Sequence, residues 1–249
     1  MRKLGTHRGD PVKYVGDQEV TMRRIVILFG VMALLFTPWL PAARADSLTL
    51  RLGASFPRGN SDIWDVNKME TDLQMTDLIG GYVGVNYEFF MSDVFSFTVG
   101  LAATNSRETV EDLDFVFPDG FPILHDIELT IVPLEAGVKW SFLGRNRRVI
   151  PYLGGGLGLY IWEYRETGDF VVDRDFYPVI VSGDFEGTGA DLGLHVEFGL
   201  RFPFGRRTSI DWEVKYIGVE GDLGPDFDPS FDPIDLSSWV TTLGISFWW

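Results

Sequence analysis

Three features predict an all-β chain, an eight-stranded antiparallel up-and-down transmembrane β-barrel. Apolar side chains recur at every second residue in eight stretches, connections run long and short by turns, and the tail VTTLGISFWW (240–249) closes on two tryptophans. A two-residue period is the mark of a strand. In the tail, Trp239, Thr241, Leu243, Ile245, Phe247 and Trp249 share one face, while Val240, Thr242, Gly244, Ser246 and Trp248 share the other. Chain ends fray into water, so a bare aromatic pair there points to another solvent.

The first barrel element is expected after an export segment. From Met22 the chain reads MRRIVILFGVMALLFTPWLPAARA: two arginines, an apolar run from Ile25 to Leu40, then Ala43-Arg44-Ala45. That layout is a secretory signal peptide, with Met22 as the start and cleavage after Ala45. Residues 1–45 are therefore set apart from a barrel domain at 46–249. Of 36 Asp/Glu and 21 Lys/Arg in the chain, residues 1–45 hold three and seven, leaving 33 acids against 14 bases. An excess of 19 negative charges excludes a nucleic-acid partner. Cysteine is absent, so there is neither a disulfide framework nor an acylated cysteine at the cleavage point.

The strands follow in order. Leu48 to Phe56 alternates with Thr49, Arg51, Gly53 and Ser55. Ile79 to Phe89 interleaves with Gly80, Tyr82, Gly84, Asn86 and Glu88. Phe95 to Ala103 carries Phe and Val on one face, Ser and Thr on the other. Thr130 to Phe142 sets Val132, Leu134, Ala136, Val138 and Trp140 against Ile131, Pro133, Glu135, Gly137 and Lys139. Leu153 to Ile161 alternates with Tyr152, three glycines and Tyr160. Leu192 to Phe202 alternates with Gly193, His195, Glu197, Gly199 and Arg201, and Ile210 to Tyr216 with Asp211, Glu213 and Lys215. The tail is the eighth. Each has about the nine to eleven residues that cross a bilayer at a tilt.

Short turns are expected near 91–93, 143–148 and 203–207, and long loops at about 57–77, 107–126, 165–188 and 219–236. That alternation puts tight turns on the periplasmic side and large loops outside. Phe247 and Trp249, with Phe89, Phe95, Trp140, Phe142 and Phe202, would then form an aromatic girdle at the turn end. Taken with GVNYEFFMSDVFSFTVGLAAT (84–104), IVPLEAGVKWSF (131–142) and PYLGGGLGLY (151–160), this tail resembles that of the small eight-stranded outer-membrane β-barrel proteins. Within them the chain is most similar to the OmpW-like and OmpA-transmembrane-like barrel domains. The resemblance implies an outer-membrane location among lipid and lipopolysaccharide, and passage of a small apolar solute. It also implies that Leu243, Ile245, Phe247 and Trp249 form a C-terminal signal read by the barrel-assembly machinery.

The inward face collects Arg51, Glu88, Glu135, Lys139, His195, Glu197, Arg201, Asp211, Glu213 and Lys215. Five acids and four bases nearly cancel, which predicts paired charges filling a lumen that side chains can just fill. A turn centred near Asn146 would set Glu135 opposite Gly156 and Lys139 opposite Tyr152. A turn about Gly205 would bring His195 and Glu197 close to Glu213 and Lys215. No catalytic constellation can be assembled, because 46–249 hold two histidines, His125 and His195, and neither has a serine partner indicated. No cofactor motif is present: GGGLG lacks the helix and Lys of a phosphate loop.

The loops carry Glu108, Glu111, Asp112 and Asp114, then Asp169, Asp173, Asp175 and Asp184, then GDLGPDFDPSFDPID. Without EF-hand spacing these carboxylates predict no metal site. Aromatics among them (Phe115, Phe117, Phe121, Phe170, Phe176, Tyr177, Phe227 and Phe231) fit either strands continuing past the membrane or a patch for an extracellular ligand. Arg145, Arg147, Arg148, Arg206 and Arg207 mark the short turns and suit anionic headgroups. Two functions stay open: a structural or solute-passing barrel, and an interaction barrel acting through its loops.

Overall fold

The computed structural model describes residues 46–174, 177–205 and 207–249. The expected signal segment and the expected cleavage point after Ala45, with Asp175, Phe176 and Arg206, lie outside the described residues. The elements are β1 (Asp46–Pro57), α1 (Asp62–Glu70), β2 (Gly80–Phe90), β3 (Phe95–Val116), β4 (Pro122–Trp140), β5 (Ile150–Arg174), β6 (Tyr177–Pro203), β7 (Thr208–Gly218), β8 (Glu220–Gly221), β9 (Ile234–Asp235) and β10 (Ser238–Trp248). Eight of the strands close a ring in the order β1-β10-β7-β6-β5-β4-β3-β2, all neighbours antiparallel. The β1–β10 seam runs unbroken from Ser47↔Trp248 to Pro57↔Ser238. With both ends paired, the ring presents no open strand edge to hydrocarbon.

Within the expected loops at 107–126 and 165–188 the described residues are strand, apart from the turn at 117–121. β3 and β4 continue to a tip at 117–121, and β5 and β6 reach 25 and 27 residues. The physical reason is visible along β4. Inward positions read Ile127, Leu129, Ile131 and then Glu135, Lys139; outward ones read Asp126, Glu128, Thr130 and then Val132, Leu134, Val138, Trp140. The two faces exchange character near residue 131 without a break in alternation. Below that level the outside meets lipid; above it the outside meets water, and the sheet returns to an apolar interior.

The expected loops at 57–77 and 219–236 fold back into the mouth of the ring and supply that interior. Ser61 opens α1, but its hydroxyl accepts from the Asp235 amide at 3.1 Å instead of capping the helix. Ile63, Trp64 and Asn67 form the buried stripe of this nine-residue helix, too short for its period to stand out in the sequence. Trp64 is fully buried, donates Nε1 to the Asp235 carbonyl at 2.9 Å and meets the Tyr164 ring edge-on at 5.2 Å. From the other side come Val219, Leu223, Phe227, Ile234 and Leu236, held by the β8–β9 ladder.

Trp64→Ala should open this upper core at a cost of about 3–5 kcal/mol. Hydrogen exchange over α1 and 219–237 is expected to accelerate, while the membrane strands keep their protection and the folded band its gel migration.

Candidate functional site

Below the upper core the inward side chains are charged, and all ten predicted lumen residues lie there, none more than 5% exposed. At the turn end, Arg201 on β6 bonds Glu88 of β2 at 2.7 Å and clasps Asp211 of β7 through Nε at 3.1 and 3.0 Å. Ser96, Ser209 and Ser246 donate to the same two carboxylates. Mid-lumen, Glu213 receives Arg51 at 2.9 Å, Lys139 at 3.5 Å and the Tyr152 hydroxyl at 2.9 Å. Lys139 also reaches Glu197 at 3.1 Å and sits 4.5 Å from the Tyr152 ring centre. Higher up, Lys215 is bonded to Glu135, which also accepts from Tyr160 at 3.1 Å, with His195 Nδ1 4.0 Å away.

Two pairings differ from expectation by one step of two residues. Glu135 stands opposite Gly158 and Lys139 opposite Gly154, while Glu197 faces Lys215 and His195 faces Ile217. Each turn is centred about one residue later than the sequence suggested. A two-residue slip preserves the face, which is why the same charges still point inward. The glycines of β5 make room for the long charged chains: a Cβ at Gly154 would come within 2.6 Å of Glu197 Oε1. At Gly199 it would strike the Tyr152 ring at 2.2 Å. Sequence reasoning placed Tyr152 and Tyr160 inward without giving them a role; their hydroxyls extend the network.

Outside the ring, the apolar positions of the lower wall are bare, with Leu192, Leu194 and Leu243 among the most exposed. Leu243, Ile245 and Phe247 face outward on β10, and Trp249, one residue past its end, is exposed as well. Near the turns, Tyr87 packs on Phe89 at 4.5 Å and Trp140 on Phe142 at 5.7 Å. Above the lipid level β3–β6 carry a polar outer ladder: Arg107–Asp126, Arg165–Asp184 at 3.2 Å and Arg165–Glu186 at 3.0 Å. Burial raises the Asp126 carboxyl, but hydrogen bonds from Thr109 and Arg107 outweigh it and hold the group below its ordinary value. Burial and then the neighbouring Glu186 push Glu163 upward. His125 points inward, its ring 4.7 Å from Phe170. Among the described residues no group of three or more His, Asp or Glu could hold a metal ion.

A family model, the outer membrane protein beta-barrel domain, matches residues 29–247. No curated protein matches the chain. Among solved structures, OprG of Pseudomonas aeruginosa is similar over 83% of this chain and 97% of its own at 12% identity, with a TM-score of 0.50. Neisserial surface protein A covers 84% and 99% at 14% identity and a TM-score of 0.47. Ail of Yersinia pestis covers 83% and 100% at 15% identity and 0.43. At such identities the likeness extends to the fold alone.

Breaking one buried pair should be severe: Lys215→Met is expected to lower unfolding stability by about 3–5 kcal/mol in detergent urea titrations. Glu135→Leu added to it should recover part of the loss. On the outer wall, Asp126 binds a proton less readily folded than unfolded. Its contribution is therefore full above the unfolded value, about 4, and lost as pH falls through the lower folded one. Amide exchange at the β3–β4 tip should quicken in that window, and Asp126→Asn should remove the dependence.

Proposed function

We propose, from the premise that the chain belongs to the outer membrane protein beta-barrel domain family, that it is a sealed barrel. It stands in the outer membrane as a structural anchor and works through the tall wall above the lipid, as a surface-interaction barrel rather than an aqueous channel. The supporting observation is the filling of the axis at two levels. Paired charges occupy the membrane level, and the core built by α1 and 219–237 occupies the mouth. An ion entering from either end would have to displace buried, mutually bonded side chains, at a cost of several kcal/mol for each charge left unpaired. The short-turn end then faces the periplasm and the long hairpins face outward. No catalytic step is part of this reading.

Export by the signal segment, recognition of Leu243, Ile245, Phe247 and Trp249 by the assembly machinery, and contact with lipopolysaccharide belong to the same proposal. Passage of a small apolar solute, which the OmpW-like resemblance implies, would need a route other than the axis.

The test is planar-bilayer conductance of the protein purified from outer membranes. A silent membrane, with the folded band confirmed by heat-modifiable migration, is the expected result. Discrete single-channel steps that Glu135→Gln alters would overturn the sealed lumen.

A further inference from the structure

Above the lipid level the ring is no longer a ring. β1, β2, β7 and β10 stop near that level, and β3–β6 rise on as an open four-stranded sheet with two edges. The β3 edge is covered. The Asp72 amide donates to the Glu111 carbonyl at 3.1 Å, the Glu111 amide donates to Asp72 Oδ1 at 2.9 Å, and Thr71 bridges Asp112.

The β6 edge is treated differently. β6 pairs with β7 only from Leu194↔Gly218 downward, while its pairing with β5 continues without a bulge up to Arg174↔Tyr177. Beyond Gly218 the chain turns inward, where Val219, Leu223 and Phe227 are buried. Among the described residues no strand pairs with the β7-side edge of β6 between Tyr177 and Gly193. The Phe204 amide donates to the Thr208 carbonyl at 3.0 Å, which fixes the phase of the ladder: even-numbered residues of β6 turn both backbone groups toward the β7 side. Ile180, Ser182, Asp184, Glu186 and Thr188 therefore present N–H and C=O groups to an edge that no described strand pairs with, although the Leu223 carbonyl packs on its inner side at Gly187. Proteins normally blunt such edges with bulges, proline or lysine. On β6 the one proline above the lipid level is Pro178, at the start of the strand.

We propose that the β6 edge from Ile180 to Thr188 is a strand-addition site for an extended, basic polypeptide segment. An added strand would meet the alternate faces that β6 itself presents. Outward lie Asp184 and Glu186, which share the single Arg165, beside Glu163. Inward lie Val181 and Phe185, the latter packed on Phe170 at 5.1 Å. The complementary segment alternates Lys or Arg with apolar residues. A second copy joining edge to edge would bring the same carboxylates together, and like charges on adjacent strands repel. The proposal rests on the tall wall as the working surface but not on the sealed lumen, so silence in conductance and binding at the edge can fail separately.

The experiment is fluorescence anisotropy of a labelled peptide alternating Lys and Val against the full protein in detergent micelles. Comparison peptides replace Lys with Glu, or carry N-methyl groups on alternate amides. Saturable binding is expected, weakened roughly tenfold or more by N-methylation and similarly by Thr188→Pro. That variant leaves the β5 ladder intact, because edge strands accept proline where the N–H faces away. The N-methyl peptide keeps the test decisive should Thr188→Pro misfold. Absence of saturable binding, equal binding by the N-methylated peptide, or a peptide-free dimer that Thr188→Pro abolishes would each overturn the proposal.

Discussion

The whole structure depends on the antiparallel seam between β1 and β10. Hydrocarbon offers no partner to an N–H or C=O, so a sheet can cross it only if its first and last strands bond to each other. Trp249, at the end of the chain, still donates its amide to the Asp46 carbonyl, so the seam extends to the last residue. The aromatic tail serves this closure in two ways: its backbone completes the ring, and its outward rings rest where lipid meets water.

Closure fixes the radius, and the radius fixes what the interior must be. Eight strands enclose a space that side chains fill, so the inward residues must satisfy one another. At the membrane level they do so with ion pairs backed by Ser, Thr and Tyr hydroxyls, as around Asp211 and Glu213. At the mouth they do so with Trp64, Trp162, Tyr164 and Phe227, an ordinary apolar core. The two solutions meet near Tyr160, whose ring belongs to the upper core and whose hydroxyl donates to Glu135. Sealing the axis follows from having both. Under the proposed reading it also moves function off the axis and onto the wall, where water has access.

That wall is asymmetric for a topological reason. The connection after β1 returns alongside β3, and residues 71–72 cover its edge. The connection after β7 dives inward to cap the lumen and leaves β6 uncovered. One loop protects an edge and the other fills the mouth, so the plug and the open edge share a single origin.

How much of this the sequence carried depends on the range of the interaction involved. Strict alternation is local, so the eight strands, the inward charges from Arg51 to Lys215 and the outward tail could be read directly. Even the registers missed by two residues kept the right faces, because the pleat repeats every two. The extended hairpins were legible only as one of two alternatives for the loop aromatics, because the apolar-outward face ends where Ile131 and Glu163 reverse it while the alternation itself continues. The helix at Asp62–Glu70 was not legible, since nine residues with a stripe of Ile63, Trp64 and Asn67 have no period to measure. The partners of each charge, the plug, and the covered and open edges were decided only in three dimensions. They join residues such as Trp64 and Asp235 that are far apart along the chain, and only closure of the ring brings them within reach.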